Sequence, residues 1–328
     1  MRQYKYEKIW LLMIASVLIL GTAYYYGAID VKKEKKQAVY SVVLYQNTDN
    51  EWEALLDGIE QAKKDYQVKI RVMNLAEGDT DTEQADLIER EMKSGAQGII
   101  FAAVDSKGLE KCLEEKHIQV PVVSVETGID GVVNISADNY EMGRELGEKV
   151  LADIQEDNGT KLVTVIEEYM ERDSVKQRYK GFLDVIQESG ESIKIQPVSR
   201  QEGDFSLSLL IGKAFLESGD YVAAFDKFST QEAAKAWSAN RRVYEDSGRN
   251  IKIYGIGNTA QTVSDLDGGL LRALVYQNEF NMGYEAIRAL IEKDEKGYIT
   301  DEFDIRHKLV TRETLYESEN ERLLFPNT

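Results

Sequence analysis

The runs Gly98-Ile-Ile-Phe-Ala102, Gly108-Leu-Glu-Lys-Cys-Leu-Glu-Glu115 and Val120-Pro-Val-Val-Ser-Val125 decide the fold. The first and third are short, apolar and rich in β-branched residues, as strands buried on both faces are. The middle run places its apolar residues at helical spacing. A buried strand, a helix and a second buried strand in close succession make a βαβ unit, which requires a parallel sheet covered by helices.

The alternation extends both ways. Upstream lie the strand-like runs 38–44 and 68–72. Trp52, Leu55, Leu56, Ile59 and Ala62 share one helical face, and Ala85, Ile88 and Met92 share another. Downstream, 132–135 leads into a helix from about Tyr140, and 161–166 opens a second series with 193–195, 221–225, 251–254 and 272–276. A long helix carrying Gly283, Ala286, Ile287, Leu290 and Ile291 precedes a last strand at 308–310. One core rarely grows this large, so two doubly wound units are expected. Ligands bind beyond the carboxyl ends of such strands, and two facing lobes make a cleft there.

A formal charge of −18 and the lack of a basic cluster outside the N-terminal region exclude nucleic acid as a partner. Cys112 is the single cysteine, and its helical setting makes it a core position. The two histidines, His117 and His307, are far apart, and no metal-ligand spacing occurs. No catalytic constellation, metal or cofactor is expected.

Residues 9–29 carry no charge and follow Arg2, Lys5 and Lys8. That length matches the ~20 residues of a membrane-spanning helix, and Tyr24-Tyr-Tyr26 suits the headgroup zone. The strongly apolar part, 9–20, is also signal-peptide length, with Gly21-Thr-Ala23 as a possible cleavage site. The expectation is an N-terminal transmembrane anchor over 1–29, a charged linker over 30–37, and a globular part outside the cell membrane. Secretion after cleavage is the alternative.

Several local patterns carry a family resemblance: Asn50-Glu-Trp52 with Leu55-Leu-Asp-Gly58, residues 95–105, Val120–Val125, Ile135-Ser-Ala-Asp-Asn139 with Gly143, and Arg178-Tyr-Lys-Gly-Phe182. In order and spacing, from Ala38 to about Leu315, they resemble the type I periplasmic binding proteins, in particular the ribose-binding-like sugar branch. The resemblance implies an α/β chain of two doubly wound parallel-sheet lobes joined by a hinge. It places the first lobe at 38–138 plus 278–305, the second at 139–277 plus 306–317, and a tail at 318–328. It implies a non-enzymatic solute-binding protein, with a carbohydrate as solute and an ABC permease or membrane histidine kinase as partner. Repressors share the fold but carry a helix-turn-helix where this chain has its apolar span.

By the same resemblance, Trp52 is a stacking aromatic, although it also shares a face with Leu55 and Ile59. Glu126 falls where an aspartate binds vicinal hydroxyls, with Thr127 in place of a common arginine. Lys176 matches a second-lobe arginine, and Arg178 lies two residues on. Phe205 matches an aromatic platform, and Gln277 matches a hinge glutamine that reaches ligand. Departures stand at Phe228-Ser229, where Asn-Asp is usual, and at Gly257-Asn258, where an aspartate is usual. They suggest a substituted sugar, an oligosaccharide or a less polar solute, or a degenerate cleft serving a protein partner.

One stretch suggests a different class. Tyr254-Gly-Ile-Gly-Asn-Thr-Ala-Gln261 reads G-x-G-x-x-A, with Glu279 further on, the outline of a dinucleotide turn and hence of an NAD-type enzyme. Glycines at a strand-to-helix turn need no cofactor, however. Residues 262–269 are short and end in two glycines, a poor start for the packed helix such a site needs.

Overall fold

The computed structural model describes residues 10, 13–22, 24, 37–45, 50–76, 78–157, 161–200, 206–217, 220–246, 248–299 and 303–324. It forms two compact units, Met1–Ala38 and Val39–Thr328. In the first, residues 13–22 are helical. Among the described residues no helix is long and apolar enough to cross a membrane, and the stretch 9–29 expected as a span falls partly outside them.

The second unit holds two sheets. The first comprises β1 (Val39–Leu44), β2 (Lys69–Asn74), β3 (Gly98–Phe101), β4 (Val122–Val125) and β5 (Asn134–Ile135), in the order β2-β1-β3-β4-β5, all parallel. The second comprises β6 (Leu162–Ile166), β7 (Lys194–Val198), β8 (Tyr221–Ala224), β9 (Lys252–Ile256), β10 (Ala273–Gln277) and β11 (His307–Thr311). Its order is β11-β10-β9-β8-β6-β7, parallel except for the antiparallel β10–β11 pair. The five parallel strands of the second sheet repeat the order of the first, with β11 added at the edge, so each sheet reverses direction beside its own first strand, at β1/β3 and at β6/β8.

Helices α1 (Glu53–Tyr66), α2 (Asp81–Lys93), α3 (Ser106–Lys116), α4 (Asn139–Asp157) and α5 (Asp173–Glu188) follow the early strands. Next come α6 (Leu207–Glu217), α7 (Lys227–Asp246), α8 (Ala260–Asp267), α9 (Glu279–Lys296) and α10 (Ser318–Leu324). The chain crosses between lobes after β5, again after β10, and a third time between α9 and β11. As a result α4 packs on the second sheet, while α9 returns to pack on the first. Tyr40 of β1 donates to Asp294 of α9 at 2.7 Å, and Tyr254 of β9 donates to Asp153 of α4 at 2.7 Å. Each crossover helix is thus pinned to its sheet by a buried tyrosine. The segment 318–324, read as tail, is the helix α10. Its Asn320 accepts from the Tyr276 hydroxyl at 3.0 Å, and Leu324 joins the second lobe's core.

Each crossover helix meets the first helix of its lobe through glycines. A methyl at Gly143 of α4 would overlap the Arg178 carbonyl of α5, and one at Gly181 the Tyr140 carbonyl. Gly58 of α1 and Gly283 of α9 stand in the same relation to Phe280 and Leu55. Backbone touches backbone in both pairs, so the lobes repeat one packing solution. The expected outcome is that Gly143→Ala lowers stability by about 1–3 kcal/mol through overpacking. Gly212→Ala in α6, where a methyl meets nothing closer than Asn240 at 3.9 Å, should raise it by about 0.5–1 kcal/mol. Urea unfolding midpoints of the two variants check both signs.

Candidate functional site

The strand ends of both sheets converge between the lobes. Tyr45 follows β1, Glu126 follows β4, Tyr169 lies beyond β6, Asp226 and Lys227 follow β8, Gly257 and Asn258 follow β9, and Gln277 closes β10. Among the described residues, five that are not glycine have left-handed backbone. Gln67 and His117 do so as helix C-caps, while Asn50 (φ 61°), Glu126 (φ 61°) and Tyr169 (φ 53°) all lie at the cleft. Such strain persists only where surrounding structure enforces it, and it clusters at functional sites.

Glu126 is the centre. Only 7% exposed, it accepts from Arg178 of the second lobe at 2.7 Å and from the Gln277 amide on its other oxygen. Arg178 is 1% exposed and also donates to the Phe225 carbonyl at 3.2 Å. Gln277 in turn accepts from the Ala137 backbone N–H at 3.0 Å, which ties two of the crossover segments together. Burial raises the Glu126 pKa, but the charges of Arg178 and Lys227 and the hydrogen bonds from Arg178 and Gln277 outweigh it, so it ends below the usual carboxylate range. Thr127, where the sequence resemblance implied an arginine, shares a hydrogen bond with Ser106 at 3.3 Å, and Ser106 accepts from the Asp173 N–H opening α5 at 3.0 Å.

Aromatic planes flank this centre. The Arg172 guanidinium lies 3.7 Å from the Tyr45 ring of the first lobe and 3.9 Å from the Tyr169 ring of the second. Trp52 packs on Tyr45 with ring centroids 4.6 Å apart and donates its indole N–H to the Tyr45 carbonyl at 3.2 Å. Phe228 meets Tyr169 edge-on at 5.8 Å. Lys227 donates to the Glu51 carbonyl at 2.7 Å and pairs with Glu279 at 2.5 Å, again joining second lobe to first. Burial pushes Glu51 up to about 7, although Lys227 and Arg172 pull it down. Burial also raises Asp226, despite the N–H and hydroxyl of Ser229 donating to it.

Of the residues singled out in the sequence, Trp52, Glu126, Arg178, Phe228, Asn258 and Gln277 meet at this cleft. Trp52 is fully buried behind Tyr45, which is the core role its shared face with Leu55 and Ile59 suggested. Lys176 does not join them: it is exposed on α5, two residues from Arg178 and therefore on another face of the helix. Phe205 lies outside the described residues. The loop after β8 is not depleted of polar groups, as the Phe228-Ser229 departure implied. Asp226 and Lys227 stand at the strand end itself, and Ser229 serves to hold Asp226. Sequence reasoning also passed over Tyr45, Glu51, Arg172 and Tyr169. Their only signal was position just beyond an apolar strand.

The G-x-G-x-x-A turn has a packing explanation. A methyl at Gly255 would overlap the Thr230 side chain of α7, whose hydroxyl donates to the Ile256 carbonyl at 2.9 Å and accepts from the Ile256 N–H at 3.1 Å. Thr259 caps α8 by accepting from the Thr262 N–H at 3.2 Å. Glu279, the acid of the suggested fingerprint, is engaged by Lys227.

The chain belongs to the periplasmic binding protein domain family, whose model matches residues 40–296. No curated protein sequence matches it. A carbohydrate transporter solute-binding protein from Agrobacterium radiobacter, in complex with D-arabinose, is similar in structure. Its TM-score is 0.77 at 22% identity, over 89% of this chain and 100% of its own. A glucose–galactose binding protein from Geobacillus stearothermophilus gives 0.73 at 17% identity, over 86% and 100%. The Caulobacter myo-inositol binding protein, bound to myo-inositol, gives 0.71 at 21% identity, over 86% and 97%. These likenesses establish the type I fold that the sequence resemblance implied.

Removing Arg178 would strand a buried carboxylate. Arg178→Met is expected to cost about 3–5 kcal/mol, and adding Glu126→Gln should recover part of it; denaturant midpoints of single and double variants measure the coupling. Glu51 gives a pH signature. Between the ordinary carboxylate range and about 7 the folded protein holds a proton that the unfolded chain releases, so stability falls as pH rises through that window. Glu51→Gln should flatten the fall, read as the change in unfolding midpoint between about pH 5 and about pH 8.

Proposed function

We propose that this protein is an extracytoplasmic solute-binding protein that closes its two lobes on a sugar or sugar-like polyol. The observation that carries the reading is the inter-lobe cluster at both topological switch points. Aromatic faces from each lobe (Tyr45 and Trp52, Tyr169 and Phe228) surround the Glu126–Arg178–Gln277 network. Sugars present C–H faces to aromatic rings and hydroxyls to carboxylate, amide and guanidinium groups, and this cleft offers all of these. The relatives complexed with D-arabinose and myo-inositol support a polyol ligand. A ligand touching both lobes stabilises the closed form by its differential affinity for that form.

The closed form is then read by a membrane partner. An ABC permease is the reading supported by the transporter relatives. Reporting to a membrane histidine kinase is the second reading, favoured by the uncharged stretch 9–29, which would hold the domain at one place on the membrane rather than release it.

The test is a thermal-shift screen of the full-length chain in detergent against pentoses, hexoses and cyclitols, followed by small-angle scattering with any hit. A specific ligand should stabilise the chain by about 2.7 kcal/mol at one hundred times its dissociation constant and compact it. Gln277→Ala and Glu126→Gln should abolish both effects. Unchanged compaction in these variants would overturn the site assignment.

A further inference from the structure

Beside the central cluster a chamber of about 440 Å³ opens between the lobes, within the range of small-molecule sites. It lies between the start of α1 and the helix α8, and shares Asn258 and Glu279 with the centre of the cleft. Five carboxylates line it, Glu51, Glu53, Asp57, Asp267 and Glu279, and no lysine or arginine is among its described lining residues.

Helix ends account for only part of this charge. Glu53 and Glu279 sit in the first turns of α1 and α9, where the dipole favours an acid. Asp57 lies beyond the first turn, and Asp267 is the last residue of α8, where the dipole opposes a carboxylate. A second observation points inward. Glu279 is 3% exposed; Lys227 pairs with one of its oxygens and the Asn258 amide reaches the carboxylate, while among the described residues the other oxygen is buried without a well-formed hydrogen bond. Glu51 is 8% exposed, and among the described residues its carboxylate accepts from the Tyr45 hydroxyl at 3.4 Å. Lys227, the nearest cation, is committed to the Glu279 carboxylate and the Glu51 carbonyl.

A buried acceptor left unsatisfied is costly, and a charged one more so. A neutral hydroxyl would supply one donor and leave the charge; an ammonium supplies three donors and the opposite charge. We propose that the solute bears a cationic amine, an aminated sugar or aminocyclitol, whose ammonium occupies this chamber against Glu279 and Glu51 with Asp57 and Asp267 around it. The proposal rests on the solute-binding reading and narrows its ligand. Ala54, Val263 and Leu324 supply the apolar part of the wall for the ligand's C–H surface.

The test titrates the full-length chain in detergent, by calorimetry, with matched pairs: D-glucosamine and D-glucose, D-galactosamine and D-galactose, an amino-inositol and myo-inositol. In at least one pair the amine should bind about tenfold or more tighter, and Asp57→Asn with Asp267→Asn should bring that ratio towards one. Neutral partners binding as tightly as their amines in every pair would overturn the amine proposal and leave the solute-binding reading standing. Absence of binding in all pairs would overturn both. An amine preference that the double variant leaves untouched would overturn the placement in this chamber.

Discussion

A carboxylate buried between two lobes must be paired, and Glu126 makes that demand at the middle of this protein. Its partners come from far apart in the chain: Arg178 from the first helix of the second lobe, and Gln277 from the strand that leads back to the first. Gln277 is held by the Ala137 N–H of another crossover. The ion pair therefore reports on lobe position, because separating the lobes takes Arg178 from Glu126. Desolvation makes such a pair a poor source of net stability but makes its breaking expensive. It acts as a registry device: the cleft has one closed arrangement that satisfies its charges.

The rest of the site follows the same logic with less complete satisfaction. Arg172 finds two aromatic faces, one from each lobe, and Lys227 bridges the second lobe to Glu51 and Glu279 of the first. Glu51, Asp226 and Glu279 nevertheless remain under-solvated, with raised proton affinities. Three residues there hold left-handed backbone without being glycine. Left-handed backbone and raised carboxylates gather where the lobes meet, while each lobe is built on an apolar core cluster. This division suits a molecule whose lobes move as bodies and whose interface awaits a solute.

The lobes are rigid for a reason visible in their repetition. Gly143 with Gly181, and Gly58 with Gly283, bring a crossover helix into backbone contact with the first helix of its lobe. Because α4 and α9 each cross over to pack, connections between the lobes pass through 135–139 and 277–279, with a third, before β11, bonded to the second where the Asn278 N–H donates to the Arg306 carbonyl at 2.9 Å. The first two segments both meet Glu126: Gln277 donates to its carboxylate, and the Ile135 carbonyl accepts from its backbone N–H at 3.4 Å. The site and the hinge are thus one structure, and ligand contacts there act directly on closure.

Along the chain, the strand–helix order, the two-lobed class and the candidacy of Glu126, Arg178 and Gln277 could all be read. Burial on both faces of a parallel strand leaves an apolar run, and helical spacing is a local property. The turn at Gly255–Ala260 misled in outline because tight backbone approach leaves the same glycines whether its neighbour is a phosphate or, as here, the Thr230 side chain. Lys176 and Arg178 were equivalent by composition and differ only in which face of α5 meets the first lobe. Asp226, Lys227, Tyr45, Glu51 and Arg172 look in sequence like ordinary polar and aromatic residues after a strand. Their burial and partners were decided by folding, since charge pairing across a cleft joins residues as distant as Glu51 and Lys227, and no local pattern encodes a separation of that kind.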